Sequence, residues 1–197
     1  ILAGLLRPHL VRLEPRRVRR WGGVLVYTGF IYSTLSVMPP VWRALVEYTQ
    51  GRINYVGTAI TALAGAGLLL YLILRCRRLL PFLLVPPLAA AYAVLLFNLE
   101  QSPAERLHLA EYGLLSFLVL LALQIDMPRR PAYLWGWAIA TGLGAIDEGI
   151  QWFLPNRVFE WKDVGLNLVS CGMGMVVVAL IQGAGEGKEK KGADGRG

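Results

Sequence analysis

The sequence predicts an all-α, polytopic membrane protein of about six transmembrane helices with both termini cytoplasmic. Three observations carry that expectation. Of the 197 residues, 55% are hydrophobic and only 17% charged, with a mean hydropathy of +0.49; a soluble domain is typically about a quarter charged. The apolar residues are gathered into six blocks, and the Lys and Arg residues return to the same side of those blocks each time. In hydrocarbon every backbone N–H and C=O must be paired within its own segment or in a closed barrel. The blocks lack the two-residue alternation of barrel strands, which leaves helices.

In chain order, residues 1–20 read as a basic cytoplasmic segment. A short apolar start runs into an arginine cluster, with no small-residue cleavage site, so it does not read as a secretory signal. Its expected partner is anionic lipid, at about 1 kcal/mol per cation near the surface, and no nucleic acid. A transmembrane domain over 21–183 follows, with apolar windows at 21–38, 56–74, 80–97, 108–125, 132–154 and 164–183. Each approaches the roughly 20 residues that cross a core of about 30 Å. Pro81, Pro86 and Pro87 punctuate the third window, and a proline inside a helix removes a hydrogen bond and bends it. Residues 184–197, rich in Gly and Lys, read as a disordered, charged cytoplasmic tail.

Orientation follows from the cations, because positive loops resist translocation. With the N-terminus inside, the inner segments hold Arg7, Arg12, Arg16, Arg17, Arg19, Arg20, Arg75, Arg77, Arg78, Arg129, Arg130, Lys188, Lys190, Lys191 and Arg196, fifteen of the 20 Lys and Arg residues. Arg43, Arg52, Arg106, Arg157 and Lys162 fall outside. A missed or invented crossing would scramble that bias. The tryptophans at positions 21, 42, 135, 137, 152 and 161 lie at or near window ends, where an amphipathic indole prefers the interface. Small residues recur at four-residue steps in Gly57, Thr61 and Gly65 and in Gly136, Ala140 and Gly144, a pattern for close helix packing. Cys76 and Cys171 fall at different depths and do not suit a disulfide.

Ionisable side chains inside a bilayer cost several kcal/mol and mark function by default. Here they concentrate at one level. His108, Glu111 and Tyr112 share a helical face at i, i+3 and i+4. Asp147, Glu148 and Gln151 lie toward the outer end of the fifth window, the two carboxylates roughly 8 to 10 Å inside it at 1.5 Å per residue. Arg157 follows in the next loop, then Asp163 and Asn167, four apart at the start of the sixth window. Adjacent carboxylates at that depth need cations, donors or protons, and His108, Arg106 and Arg157 are the nearest sources. Because neighbouring helix residues point about 100° apart, Asp147 and Glu148 are expected to play different roles.

These residues resemble the VanZ-like family of bacterial integral membrane proteins over about 105–174. The likeness lies in His108 and Tyr112 (H-x-x-x-Y), Glu148 and Gln151 (E-x-x-Q), Pro155 and Arg157 (P-x-R), and Asp163 and Asn167 (D-x-x-x-N). Ser170 stands where the family usually has glycine, a small-for-small change, and Gly174 fits the next small position. The resemblance implies a multi-pass protein of the bacterial cytoplasmic membrane and cell envelope, linked to resistance against teicoplanin-type glycopeptide antibiotics, with no established reaction.

The expected function is therefore an outward-facing polar site that binds headgroups of envelope lipids or lipid-linked precursors. The alternatives are an intramembrane enzyme with Asp147 or Glu148 as base, His108 as acid or base and Arg157 stabilising an oxyanion, or a structural subunit packed among other membrane proteins. The chain contains neither a G-x-S-x-G elbow nor an H-E-x-x-H pair, and only two histidines, His9 and His108, so the reading leans away from catalysis and expects neither metal nor cofactor.

Overall fold

The computed structural model describes residues 14–75, 103–155 and 157–194, together with positions 83, 86, 87, 90, 91 and 94. The side chains of 75, 103–108 and 183–194 lie outside that description. So do Cys76, the expected segment 1–13 and most of the window 80–97. Among the described residues every element is helical: α1 (Pro15–Thr34), α2 (Met38–Tyr48), α3 (Arg52–Arg75), α4 (Pro103–Asp126), α5 (Arg129–Trp152) and α6 (Trp161–Asp194). Three stretches are long and apolar enough to cross a membrane: Arg52–Leu74 of α3, Leu109–Asp126 of α4 and Trp161–Gln182 of α6. The pair α1 and α2 would add a fourth, but it is bent by 60°. α5 is not apolar enough to join them, with charged residues at both ends and Gly, Thr and Trp between.

The first window differs from expectation at both ends. Arg16, Arg17, Arg19 and Arg20 lie on α1, which opens at Pro15; proline suits a first turn whose N–H groups have no intrahelical partner. The helix stops at Thr34. Ser33 and Thr34 turn their hydroxyls back onto the carbonyls of Phe30 and Ile31 (2.8 Å each), and Pro39 and Pro40 then supply no N–H to carry the ladder on. What the sequence reading treated as outer loop contains α2 instead.

α2 closes in a Schellman turn, with Gly51 N–H donating to the Val46 carbonyl at 2.8 Å and Gln50 N–H to that of Glu47 at 3.1 Å. Gln50 (φ 52°) and Gly51 (φ 81°) both have left-handed backbone, the geometry this cap requires. At the other terminus, α6 continues as helix through Asp194, across most of the stretch read as a disordered tail; Ala, Glu and Lys there are good helix formers.

The core is a three-helix unit of α4, α5 and α6, with α1 laid along α4. Tyr112, Leu115, Val119 and Leu120 of α4, Ala132 and Ala140 of α5, and Cys171, Met175 and Val178 of α6 are buried together with Val24 and Ile31 of α1. Glycine makes the approach close. A Cβ on Gly174 would run into Ser116 and stand 2.7 Å from the Gly113 carbonyl oxygen, and one on Gly136 would stand 2.8 Å from Met175 Cε. The four-residue pattern of α5 thus becomes a buried seam at Gly136, Ala140 and Gly144. On α3 it does not: Gly57, Thr61 and Gly65 are only half-buried, and Leu72, against Leu180, is the buried anchor of that helix.

Side-chain hydrogen bonds fix the helix directions. At one end, Gln124 and Gln182 exchange amide bonds at 3.2 and 3.1 Å, and the Tyr133 hydroxyl donates to Gln182 at 2.8 Å. Asp126 there pairs with Arg17 (3.0 Å) and accepts from Trp21 (3.0 Å). At the other end Asn167 meets Gly144 and Tyr112. Hence α4 and α6 run parallel, with α1 and α5 antiparallel to them.

Candidate functional site

The buried face of α5 reads Ala132, Gly136, Ala140, Gly144, Asp147, Glu148, Gln151. One stripe faces the neighbouring helices throughout, and it turns from small to polar over its last two turns. Asp147 and Glu148 are fully enclosed (0% exposed) and Gln151 nearly so (2%), although Asp147 lies only five residues from the end of α5, about 7 Å.

One group joins Asp147 and Glu148: Gln151 Nε2 donates to Asp147 Oδ2 (3.2 Å) and to Glu148 Oε1 (3.0 Å). On a helical wheel Gln151 falls between the two directions, being four residues from one and three from the other. The remaining oxygens, Asp147 Oδ1 and Glu148 Oε2, are buried with no hydrogen bond of normal geometry to the described residues.

The helices around α5 complete the cluster. Tyr112 of α4 is fully buried with its hydroxyl beside Asp147. Its backbone carbonyl accepts a long bond from the Cys171 thiol at 3.6 Å. Asn167 of α6 reaches the Gly144 carbonyl through Nδ2 at 3.4 Å, and Gly144 is what admits both neighbours. A Cβ at that position would come within 2.9 Å of Asn167 Cβ and 3.1 Å of Tyr112 Cε1.

The segment 153–160 folds back over the end of α5. Leu154 N–H returns to Gln151, and Arg157 N–H to Leu154. Phe159 packs between Trp152 (5.4 Å between ring centroids) and Trp161 (5.0 Å, edge to face). This turn holds the half-buried Arg157 close enough for its charge to act on Glu111, Asp147 and Glu148, while its Nε–H is buried without a hydrogen-bond partner among the described residues. Asp163 acts on Glu148 from the start of α6.

Glu111, Tyr112, Asp147, Glu148, Gln151, Arg157, Asp163 and Asn167 therefore meet at one end of the bundle. His108 lies on α4 one turn before Tyr112, and its side chain is outside the described residues. α1 adds two side chains that the sequence did not single out. Tyr32 donates to the Leu143 carbonyl at 2.7 Å and feels the charge of Asp147. Tyr27 donates to the Glu111 carbonyl at 3.4 Å. The only signal was weak, two tyrosines five residues apart in an otherwise apolar window. Among the described residues no three His, Cys, Asp or Glu side chains converge as a metal-binding group.

No family model, no curated protein and no solved structure matches this chain.

Proposed function

We propose that this chain is a VanZ-like multi-pass protein of the bacterial cytoplasmic membrane whose polar cluster faces outward and holds the headgroup of an envelope lipid or lipid-linked precursor. One observation carries the reading: two adjacent carboxylates are enclosed with Gln151 as their shared donor. Enclosed charge costs several kcal/mol unless a cation or donors match it. Among the described side chains, the carboxylates Glu111, Asp147, Glu148 and Asp163 gather around Arg157, a setting that suits a ligand bringing positive charge of its own. A zwitterionic headgroup does this, with its ammonium on the carboxylates and its phosphate on the Arg157 guanidinium. Altered access of glycopeptide drugs to the outer surface would follow from such binding.

The helix directions support six crossings. Leu72, near the end of α3, packs on Leu180 close to the Gln124–Gln182 end, whereas α4 begins at the Glu111 end. The end of α3 and the start of α4 therefore lie at opposite ends of the bundle, as one further crossing between them requires. Together with the positive loops, six crossings support a reading with both termini inside and the cluster outside.

A second reading is a polar staple between helices, favoured because Gln151 and Asn167 spend their donors inside the protein. Lipids retained on purification in mild detergent, quantified by mass spectrometry, separate the two. With ligand binding, Asp147→Asn/Glu148→Gln and Arg157→Gln each lose phosphatidylethanolamine several-fold while their melting temperatures stay near wild type. Unchanged lipid together with a lowered melting temperature leaves only the staple.

A further inference from the structure

α2 is an amphipathic helix with a face that no part of the described protein covers. Met38, Val41, Leu45 and Tyr48 are exposed at 41%, 44%, 38% and 88%, and no residue of α2 is buried. Their spacing at i, i+3, i+7 and i+10 places all four on one arc. Trp42 and Val46, next on the wheel, are half-buried. Arg43 and Glu47 lie on the opposite arc, exposed.

The ends of this helix are fixed independently of its surface. It leaves α1 at a 60° bend through Pro39 and Pro40, and stops in the Gln50–Gly51 turn before α3 begins. At 11 residues it is about 16 Å long, half of what a bilayer core needs. It also follows Tyr32, which places it at the end of the bundle that holds Asp147 and Glu148.

We infer that α2 lies in the plane of the outer membrane–water interface, its Met38, Val41, Leu45 and Tyr48 face sunk among the acyl chains and Arg43 and Glu47 in the headgroup layer. A lipid surface is the occupant these features select. The helix is bracketed by α1 and by α3, a helix long and apolar enough to cross a membrane, which itself begins with exposed apolar side chains, Tyr55 and Val56. A helix with apolar and charged arcs at that level minimises its free energy by lying flat. Nothing in this inference depends on what the polar cluster binds.

The test uses the full chain with Cys76→Ser and Cys171→Ala, carrying one cysteine at a time at positions 41, 43, 45 and 47. Each is labelled with an environment-sensitive fluorophore and reconstituted into vesicles of phosphatidylethanolamine and phosphatidylglycerol. Labels at 41 and 45 are expected to emit blue-shifted and to be quenched by brominated acyl chains. Those at 43 and 47 are expected to be quenched by aqueous iodide, giving a helical period. Depth rising or falling steadily from 41 to 47 would make α2 half of a broken span and overturn the inference. So would a water-exposed signal at all four positions.

Discussion

Gly144 and Asn167 touch so closely that a methyl group on the glycine would stand 2.9 Å from the asparagine Cβ. This contact sets how near α5 and α6 come at the level of the polar cluster. Gly144→Ala should destabilise the protein by roughly 1–3 kcal/mol, the usual cost of overpacking a close contact. Asn167→Ala should not rescue it, because the nearest atom is the Cβ that alanine keeps. Thermal unfolding in detergent, followed by tryptophan fluorescence, checks both statements; rescue would show that the contact is softer than its geometry.

Gln151 supplies donors to both enclosed carboxylates. Gln151→Leu keeps much of the volume and removes those donors, at about 1–3 kcal/mol for each acceptor left buried and unmet. Adding Asp147→Asn to that variant should recover part of the loss, since a neutral amide costs less to enclose than a carboxylate. Comparing the two melting temperatures reads the recovery directly.

Gln50 adopts φ 52° at the end of α2, a region that costs a side chain roughly 1–2 kcal/mol and costs glycine nothing. Part of that gain is offset by the greater freedom of glycine in the unfolded chain. Gln50→Gly should therefore raise stability by roughly 0.5–1 kcal/mol, seen as a higher melting temperature with the helix content of the circular dichroism spectrum unchanged.

Tyr32 ties α1 to α5 through its bond to the Leu143 carbonyl. That carbonyl sits inside a helix and already has a backbone partner, so Tyr32→Phe should cost only about 0.6 kcal/mol, typical of interhelical bonds in membranes. A loss several times larger would mean that the tyrosine does more than join two helices.

Much of this arrangement could be read from residue order. Periodic small residues marked the α5 seam, and polar residues at three- and four-residue steps marked the faces of α4, α5 and α6 that meet. Hydropathy hid other parts. The prolines at 39 and 40 close the first apolar window, and with Arg43 and Glu47 beyond them α2 reads as outer loop, although proline also suits the first turn of a new helix. Tyr27 and Tyr32 escaped notice because a tyrosine in an apolar run reads as packing until its hydroxyl has a partner. The sharing of Gln151 by Asp147 and Glu148 was open to wheel geometry, yet the 100° between adjacent residues drew attention first. In α3 the same spacing leaves Gly57, Thr61 and Gly65 only half-buried among the described residues.

α5 carries the enclosed carboxylates and is also the core helix that is not apolar enough to count as a span by composition alone. Whether it crosses the bilayer decides where the cluster faces. In a chain with Cys76→Ser and Cys171→Ala, single cysteines from Pro128→Cys and Arg157→Cys bracket this helix and can be labelled in intact cells with a membrane-impermeant maleimide. The expected result is labelling at 157 from outside and at 128 only after permeabilisation. Reaction of both positions from the same side, or of 157 from the cytoplasm alone, would contradict an outward-facing headgroup site.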